Sequence, residues 1–391
     1  MGEIRGHPVR DLYYLIALLV LNHSAFGGAR VAVSLYAQSL GADTSLVGVL
    51  MALFSFLPMV ASIRIGRWID RVGVRLPMQM GTVMVAVGTV LPAIRPELST
   101  LFFCCVITGA GAMLFHVAAN MTVGSTGKPE DRPIHFSLLA LGFSASGFIG
   151  PMIAGFGIDY LDYRWTFAIL ALLPIIPIFM FLTGRPGLPA TAGAAMPDTR
   201  AGKVLDLVSD PVLRRVYIAS GLLSMGWDLF NFVIPIYGRS IGLSASTIGS
   251  ILGVFAAATF VVRLSMPFYV RRLSAWSTLV FSLVGSGATF VLFPIAESVP
   301  VLFMLAFMLG IGLGCAQPMV MSVLYTAAPV NRRGEAVGLR TMLINISQTV
   351  FPLVFGALGS AIGITPVFWT LAASMLAGGV LTHRGAPAAL K

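Results

Sequence analysis

One acidic side chain stands apart in this sequence because it interrupts a long apolar segment. The chain contains 15 Asp and Glu residues, and all of them except Asp228 fall in polar stretches or at the edges of apolar ones. Asp228 lies inside SMGWDLFNFVIPIYG. A carboxyl group there loses hydration, which favours its protonated form near neutral pH. Asp228 is therefore the predicted proton-coupling residue, and a structural carboxyl paired permanently with a donor is the alternative.

A basic side chain in another apolar segment is the predicted partner of this acid. Arg30 lies in HSAFGGARVAVSLY, with His23 and Gly27 on the same helical stripe. We expect Arg30 to pair with Asp228 or with an anionic group of a substrate. A snorkelling arginine is the alternative, because only about 9 Å of helix separates Arg30 from Tyr36.

Other polar and aromatic side chains within apolar segments are candidates for binding a solute. His116 and Gln317 are 201 residues apart, and Asn120 lies one helical turn after His116. A satisfied hydrogen-bonding role is the alternative for each. Arg263 and Arg340 lie near the ends of their segments, where snorkelling or gating is the simpler expectation. The predicted substrate-binding residues are Arg30, His23, His116, Asn120, Asn231, Gln317, Phe26 and Trp227.

The elements that must hold these side chains are membrane-spanning helices. Of 391 residues, 57% are hydrophobic and 10% are charged, whereas soluble domains carry about 25% charged residues. This composition excludes a soluble enzyme and a nucleic-acid-binding domain. Each apolar run is long enough to cross about 30 Å of hydrocarbon as a helix. Twelve runs are predicted, at 12–37, 46–63, 77–94, 100–123, 135–157, 165–182, 213–237, 247–268, 275–295, 300–324, 336–359 and 366–382.

The basic residues predict the orientation of these spans. Of the 25 Lys and Arg residues, 19 fall in the two tails and in alternate loops, three fall in the remaining loops and three lie within spans. Because cytoplasmic loops carry the excess of Lys and Arg, both termini are expected in the cytoplasm. The short tails and loops favour a bacterial inner membrane.

The two halves of the chain repeat each other at a constant offset of 201 residues. This offset superposes Tyr36 on Tyr237, Gly41 on Gly242 and Pro151 on Pro352. Because each half holds an even number of spans, both copies have the same orientation and should be related by an axis along the membrane normal. The sequence predicts six-helix bundles at 1–183 and 212–391, with a cytoplasmic linker at 184–211 that is rich in Gly, Pro, Ala and Thr.

The loop RIGRWIDRVGVRL resembles the signature between the second and third helices of the major facilitator superfamily. In that family the acid and the basic residues form a charge cluster that stabilises one conformation. The resemblance therefore implies a conformational latch, and simple anchoring by positive charge is the alternative. The matching residues are Gly66, Asp70, Arg71, Gly73 and Arg75.

The fifth span, with GFSASGFIGPMIAGFG, is similar to the glycine-rich motif of this family's proton antiporters. Its predicted packing residues are Gly147, Gly150, Pro151 and Gly155. The resemblance implies an all-α fold of two pseudo-symmetric six-helix bundles, in which spans 1, 4, 7 and 10 line a cavity. The fourth span departs from many drug antiporters of the family, because it carries His116 and no arginine.

Three functions are weighed from these observations. The first is a secondary transporter that moves a small organic or amphipathic solute by alternating access, as proton-coupled export. The second is proton-coupled uptake of an organic anion, with Arg30 binding the carboxylate. The third is a membrane-embedded enzyme or receptor, which lacks support because no nucleophile–base pair is evident. The sequence shows no P-loop and no metal-ligand spacing, so no cofactor is expected. The expected partners are the solute, protons and the lipid bilayer, without nucleic acid, and the chain is expected to be a monomer.

Overall fold

The computed structural model describes residues 8–126, 132–183, 204–266, 274–296, 298–329 and 333–384. Twelve of the helices in these ranges are long and apolar enough to cross a membrane, which confirms the predicted spans. Span 6 is broken into Tyr163–Leu172 and Ile175–Leu182, and a short helix, Val204–Ser209, precedes span 7. In chain order, spans 1 to 5 are Pro8–Ser39, Thr44–Val72, Arg75–Ile94, Leu98–Ser125 and Arg132–Leu161. Spans 7 to 12 are Pro211–Ser240, Ala245–Leu264, Ala275–Leu292, Val299–Ala327, Arg333–Ile362 and Ile364–Arg384.

Aspartates outside the apolar runs begin several of these helices. The carboxylate of Asp43 accepts a hydrogen bond from the Leu46 amide at 2.9 Å at the start of span 2. Asp210 does the same at the start of span 7, accepting from the amides of Val212 and Leu213 at 2.9 and 2.8 Å. Such caps satisfy amides that have no partner within the helix and each contributes about 1 kcal/mol.

The repeat found in the sequence is also present in the hydrogen bonds. Tyr36 at the end of span 1 donates its hydroxyl to the carbonyl of Pro96 at 2.7 Å. Its counterpart Tyr237, at the end of span 7, donates to the carbonyl of Ala296 at 3.4 Å. Equivalent tyrosines therefore bond the turn that precedes the fourth span of each half.

The turns after these tyrosines repeat as well. Gly41 has φ of 85° and Gly242 has φ of 77°. This left-handed backbone conformation favours glycine because it has no Cβ. The glycine pair at this offset is thus explained by the shape of the turn.

A second pair of equivalent glycines lets the second and fourth helices of each half approach closely. A Cβ on Gly109 would collide with the backbone of Phe54, and a Cβ on Gly310 would collide with the backbone of Phe255. Small residues are the usual means of bringing membrane helices together. These contacts confirm the pseudo-symmetric arrangement.

The described residues form two compact units. The first unit holds those of 1–195 together with 242–253, and the second holds those of 196–241 and 254–391. The first unit includes the start of span 8 because this segment packs on span 5. There the Asp159 carboxylate accepts hydrogen bonds from the amides of Ala245 and Ser246 at 3.0 and 2.7 Å.

The glycine contact in the second unit gives a test of packing. A Cβ on Gly310 would also lie 2.8 Å from the Cβ of Ala258. Overpacking of this kind costs about 1–3 kcal/mol, so Gly310→Ala should lower the thermal unfolding midpoint of the purified protein. Gly285→Ala is the matched control, because nothing lies within 4 Å of a Cβ at Gly285. Equal midpoints for the two variants would contradict the close approach.

Candidate functional site

The first unit contains a pair of histidines inside the membrane-spanning region. His23 of span 1 and His116 of span 4 are joined by a hydrogen bond of 3.0 Å between Nδ1 of His23 and Nε2 of His116. One of these two nitrogens must carry the proton and the other must accept it. The pair therefore links spans 1 and 4 through a single shared proton.

Two phenylalanines surround the imidazole pair. The Phe143 ring of span 5 lies edge-on to both imidazoles, with its centroid 5.0 Å from each. Phe26, one helical turn after His23, stacks on the His23 ring with centroids 5.4 Å apart. The result is an aromatic cluster built from spans 1, 4 and 5.

Arg30 extends this cluster along span 1. Its guanidinium carbon lies 5.9 Å from the centroid of the Phe26 ring, within the range of a cation–π interaction. Asn120 of span 4 donates to the carbonyl of His116 at 2.8 Å, and its side chain is exposed. The structure thus brings together all the predicted binding residues of the first half: His23, Phe26, Arg30, His116 and Asn120.

In the second unit, Asp228 lies inside span 7 and is 4% exposed. Its Oδ1 atom accepts a hydrogen bond of 3.3 Å from Nε2 of Gln348 in span 11. A neutral amide stabilises a carboxylate by donating a hydrogen bond without adding a formal charge. The carboxyl group of Asp228 is thus buried inside a span beside a neutral donor, and its role in proton coupling stays a prediction.

A second polar contact joins the same two spans. Nε of Arg340 in span 11 donates to the hydroxyl of Ser220 in span 7 at 2.7 Å. The guanidinium also donates to the side-chain oxygen of Gln317 in span 10 and contacts the sulfur of Met321 at 3.7 Å. The sequence favoured snorkelling or gating for Arg340, whereas these contacts direct its side chain toward spans 7 and 10.

The two contacts form a regular pattern. Asp228 follows Ser220 by eight residues, and Gln348 follows Arg340 by eight residues. We call the Ser220–Arg340 contact the Arg340 rung and the Asp228–Gln348 contact the Asp228 rung. At 1.5 Å per residue, the two rungs are about 12 Å apart along two parallel helices. We call the residues Ser220, Asp228, Arg340 and Gln348 the polar seam.

Aromatic contacts join span 7 to span 8 at the residue before Asp228. The Trp227 ring meets Phe255 edge-on with centroids 4.8 Å apart, and the guanidinium of Arg263 lies 5.6 Å from its centroid. Asn231 donates to the carbonyl of Trp227 at 2.8 Å. Trp227 and Asn231, both predicted to bind substrate, are thus held by contacts within the second unit.

The loop after span 2 shows only part of the predicted latch. Gly73, with φ of 83°, ends span 2 and donates its amide to the carbonyl of Ile69 at 2.8 Å. Arg75 donates to the carbonyl of Phe181 at 3.0 Å at the end of span 6, and Arg71 is exposed. The side chain of Asp70 lies outside the described residues, so the latch stays a prediction.

The glycines of span 5 lie at close helix contacts. A Cβ on Gly150 would lie 2.5 Å from the carbonyl oxygen of Ser24 in span 1. A Cβ on Gly155 would lie 3.1 Å from the Cα of Gly249 in span 8. Gly147 is partly buried, and Pro151 is buried within the helix. The structure places this motif where span 5 meets spans 1 and 8.

Sequence reasoning missed two features of these clusters. It did not predict the bond between His23 and His116, although each lay in a helix expected to line a cavity. It did not identify Gln348 as the partner of Asp228. The eight-residue spacing shared by spans 7 and 11 is the signal that could have found the seam.

A comparison with known families agrees with the fold. The family model described as Major Facilitator Superfamily matches residues 15–296 and 216–389, which together cover most of the chain. The chain belongs to the Major Facilitator Superfamily. This membership confirms the resemblance found in the sequence, and it makes the protein a transporter of small molecules in the lipid bilayer rather than an enzyme.

Characterised relatives and solved structures extend this comparison. The chain is 23% identical over 369 residues to the quinolone resistance protein NorA of Staphylococcus aureus (strain MRSA252), covering 93% of each chain. It is 30% identical over 141 residues to the multidrug resistance protein MdtH of Salmonella arizonae, covering 36% of this chain and 35% of MdtH.

Peptide transporters supply the structural match. The structure of peptide transporter POT in complex with sulfate has a TM-score of 0.80 at 16% identity, covering 98% of this chain and 95% of that one. A POT family transporter in complex with 5-aminolevulinic acid gives a TM-score of 0.77 at 16% identity, covering 98% and 97%. At this identity the likeness shows the fold alone.

The histidine pair yields a prediction about stability. Removing either imidazole leaves the other without its bonding partner, and such a loss costs about 1–3 kcal/mol. His23→Leu and His116→Leu should therefore each lower the thermal unfolding midpoint, and the double variant should lose less than the two single losses combined. Thermal unfolding of the four proteins measures this coupling. Strictly additive losses would contradict a bond between the two rings.

Proposed function

We propose that this protein is a proton-coupled exporter of small amphipathic organic compounds, in which Asp228 carries the coupled proton. The observation that carries the proposal is a carboxyl group buried within a membrane-spanning helix and hydrogen-bonded by an amide of the neighbouring span 11. Ionisable groups within spans are costly, and functional roles are their usual explanation. Asp228 exchanges protonated and ionised forms as the transporter cycles.

The amide partner makes both forms of Asp228 possible. The Gln348 side chain donates to an ionised carboxylate through Nε2 and can accept from a protonated one through Oε1. The Asp228–Gln348 rung is therefore suited to a group that gains and loses a proton repeatedly.

The direction of transport is supported by the relatives. NorA and MdtH are named for resistance to quinolones and to multiple drugs, and the match to NorA extends over 93% of the chain. Resistance through a transporter requires that compounds leave the cell. We therefore propose export, across a bacterial inner membrane, by a monomer with both termini in the cytoplasm.

The predicted substrate contacts fall into two groups. In the first unit they are the aromatic and imidazole side chains with Arg30. In the second unit Trp227 and Asn231 lie near Asp228 along span 7, and Gln317 contacts Arg340. Flat apolar rings that accompany a few polar groups suit amphipathic solutes. The six-helix bundles at 1–183 and 212–391, joined by the linker 184–211, are proposed to rearrange during alternating access. The pairing of Arg30 with Asp228 stays a prediction of the sequence.

Uptake of an organic anion is the second candidate. Arg30 supports it, because a guanidinium on an aromatic face suits recognition of a carboxylate. In this case Asp228 carries a proton inward with the anion. The direction of movement under an imposed proton gradient separates the two candidates.

Asp228→Asn tests the proton-coupling role. In inverted membrane vesicles, acidification of the lumen should drive accumulation of a fluorescent quinolone by the unmodified protein. An amide cannot exchange a proton in this range, so Asp228→Asn should reduce gradient-driven accumulation at least about tenfold. Glu97→Gln is the control, because Glu97 is an exposed acid in a loop. Full coupling in Asp228→Asn would refute the proposal, and entry only under the opposite gradient would favour uptake.

Gln348→Leu tests the rung itself. Loss of the donated hydrogen bond destabilises the ionised form of Asp228, so protonation should persist to higher pH. Because a bond to a charged group is worth about 1.5–3 kcal/mol and one pH unit corresponds to about 1.4 kcal/mol, the midpoint of the transport–pH profile should rise by about one to two units. A midpoint that stays or falls would show that this amide does not control Asp228. Asn345→Leu, in the same span, is the matched control.

A further inference from the structure

The Arg340 rung of the polar seam holds a positive charge that the proposed proton coupling does not use. Arg340 is partly buried within the second unit, and Ser220 is 2% exposed. Among the described side chains, the groups that accept from this guanidinium are a hydroxyl, an amide oxygen and a thioether. All three are neutral, so they solvate the charge without balancing it.

The Arg340 guanidinium has more N–H donors than its three described contacts use. A guanidinium has five N–H donors, and one on each of its three nitrogens is used for Ser220, Gln317 and Met321. Among the described side chains, no acceptor meets the two remaining N–H groups, which lie on the terminal nitrogens. Two parallel N–H groups on this fork match the two oxygens of a carboxylate.

Ser220 and Gln317 hold the guanidinium of Arg340 in place. Ser220 lies in span 7 and Gln317 in span 10, so two helices beside span 11 hold the Arg340 side chain by its polar atoms. Arg340 lies seven residues after the start of span 11, or about 10 Å along the helix. This end of the span faces the side on which the sequence predicts the cytoplasm, from which an exported compound would enter.

A charge in this setting is costly until a counter-charge arrives. Removing an ion from water costs several kcal/mol, and an oppositely charged group with good hydrogen-bond geometry offsets that cost. A carboxylate on the solute would supply the missing charge. A neutral solute of the same shape would not.

We infer that Arg340, with Gln317 and Ser220, forms a binding site for the carboxylate of an amphipathic organic acid. This inference rests on the proposed function and narrows its substrate class. The acid's carboxylate binds the Arg340 rung, about 12 Å along the helices from the Asp228 rung. The solute's anionic group and the coupled proton therefore occupy different rungs of the polar seam.

The test compares two probes that differ only in charge. Tritiated 2-naphthoate and tritiated 2-naphthamide have the same ring system and nearly the same shape. Their equilibrium binding to the full chain is measured at neutral pH, without a proton gradient, in nanodiscs of uncharged phosphatidylcholine. The unmodified protein should bind the acid at least about tenfold more tightly than the amide, as expected for a charged hydrogen-bonded pair.

Two variants locate this preference at the Arg340 rung. Arg340→Gln should weaken naphthoate binding at least about tenfold and naphthamide binding less than about threefold. Gln317→Glu keeps the guanidinium and supplies an internal carboxylate, so it should remove the preference for the acid while the protein stays folded. Arg214→Gln is the control, because Arg214 is exposed at the start of span 7.

Several results would overturn the inference. They are equal binding of the two probes to the unmodified protein, a preserved acid preference in Gln317→Glu, or a loss of preference in Arg214→Gln as large as that in Arg340→Gln. Because binding is measured without a gradient, these results leave export and Asp228 untouched. Conversely, loss of proton-driven transport with normal naphthoate binding would refute the proposed function alone.

Discussion

A polar side chain inside a membrane helix has to find its partner within the protein, because hydrocarbon offers none. This constraint explains the arrangement of spans 7 and 11. Asp228 meets Gln348 on one rung of the polar seam, and Ser220 meets Arg340 on the other. The same eight-residue step on both helices keeps the two rungs in register. A shift of either helix along its axis would disturb both rungs together.

Close backbone packing joins other pairs of spans. Gly109 and Gly310 occupy equivalent places in the two halves and leave no room for a Cβ. The tyrosines at the ends of spans 1 and 7 repeat in the same way, each bonding a turn. What the repeat preserves is therefore the helix framework. The polar groups differ, since an imidazole pair lies in the first unit and a carboxylate and a guanidinium lie in the second.

The fold could be predicted from the sequence because its signals are long and redundant. Apolar runs fix the twelve spans, and one constant offset fixes the repeat. Asp228 could be singled out because it was the only acid deep in such a run. Its partner could not, because spans that are apolar around most of their circumference do not show which face meets which neighbour. Arg340 was judged by its distance from the end of the span, a measure that ignores the helices beside it. The bond between His23 and His116 was missed for the same reason.

In the proposed mechanism the two rungs of the polar seam have different roles. The neutral amide of Gln348 allows Asp228 to change its protonation state, whereas the neutral groups around Arg340 keep a positive charge ready for an anionic solute. A buried acid that keeps one state throughout the cycle would be only a structural element of span 7.

Difference infrared spectroscopy of the reconstituted protein observes this acid directly. The carbonyl stretch of a protonated carboxyl group, identified by its shift in heavy water, should disappear as the pH is raised. The same band should be missing from Asp228→Asn. A band that is absent at every pH, or that stays in the Asp228→Asn protein, would contradict the role of Asp228 as the proton carrier.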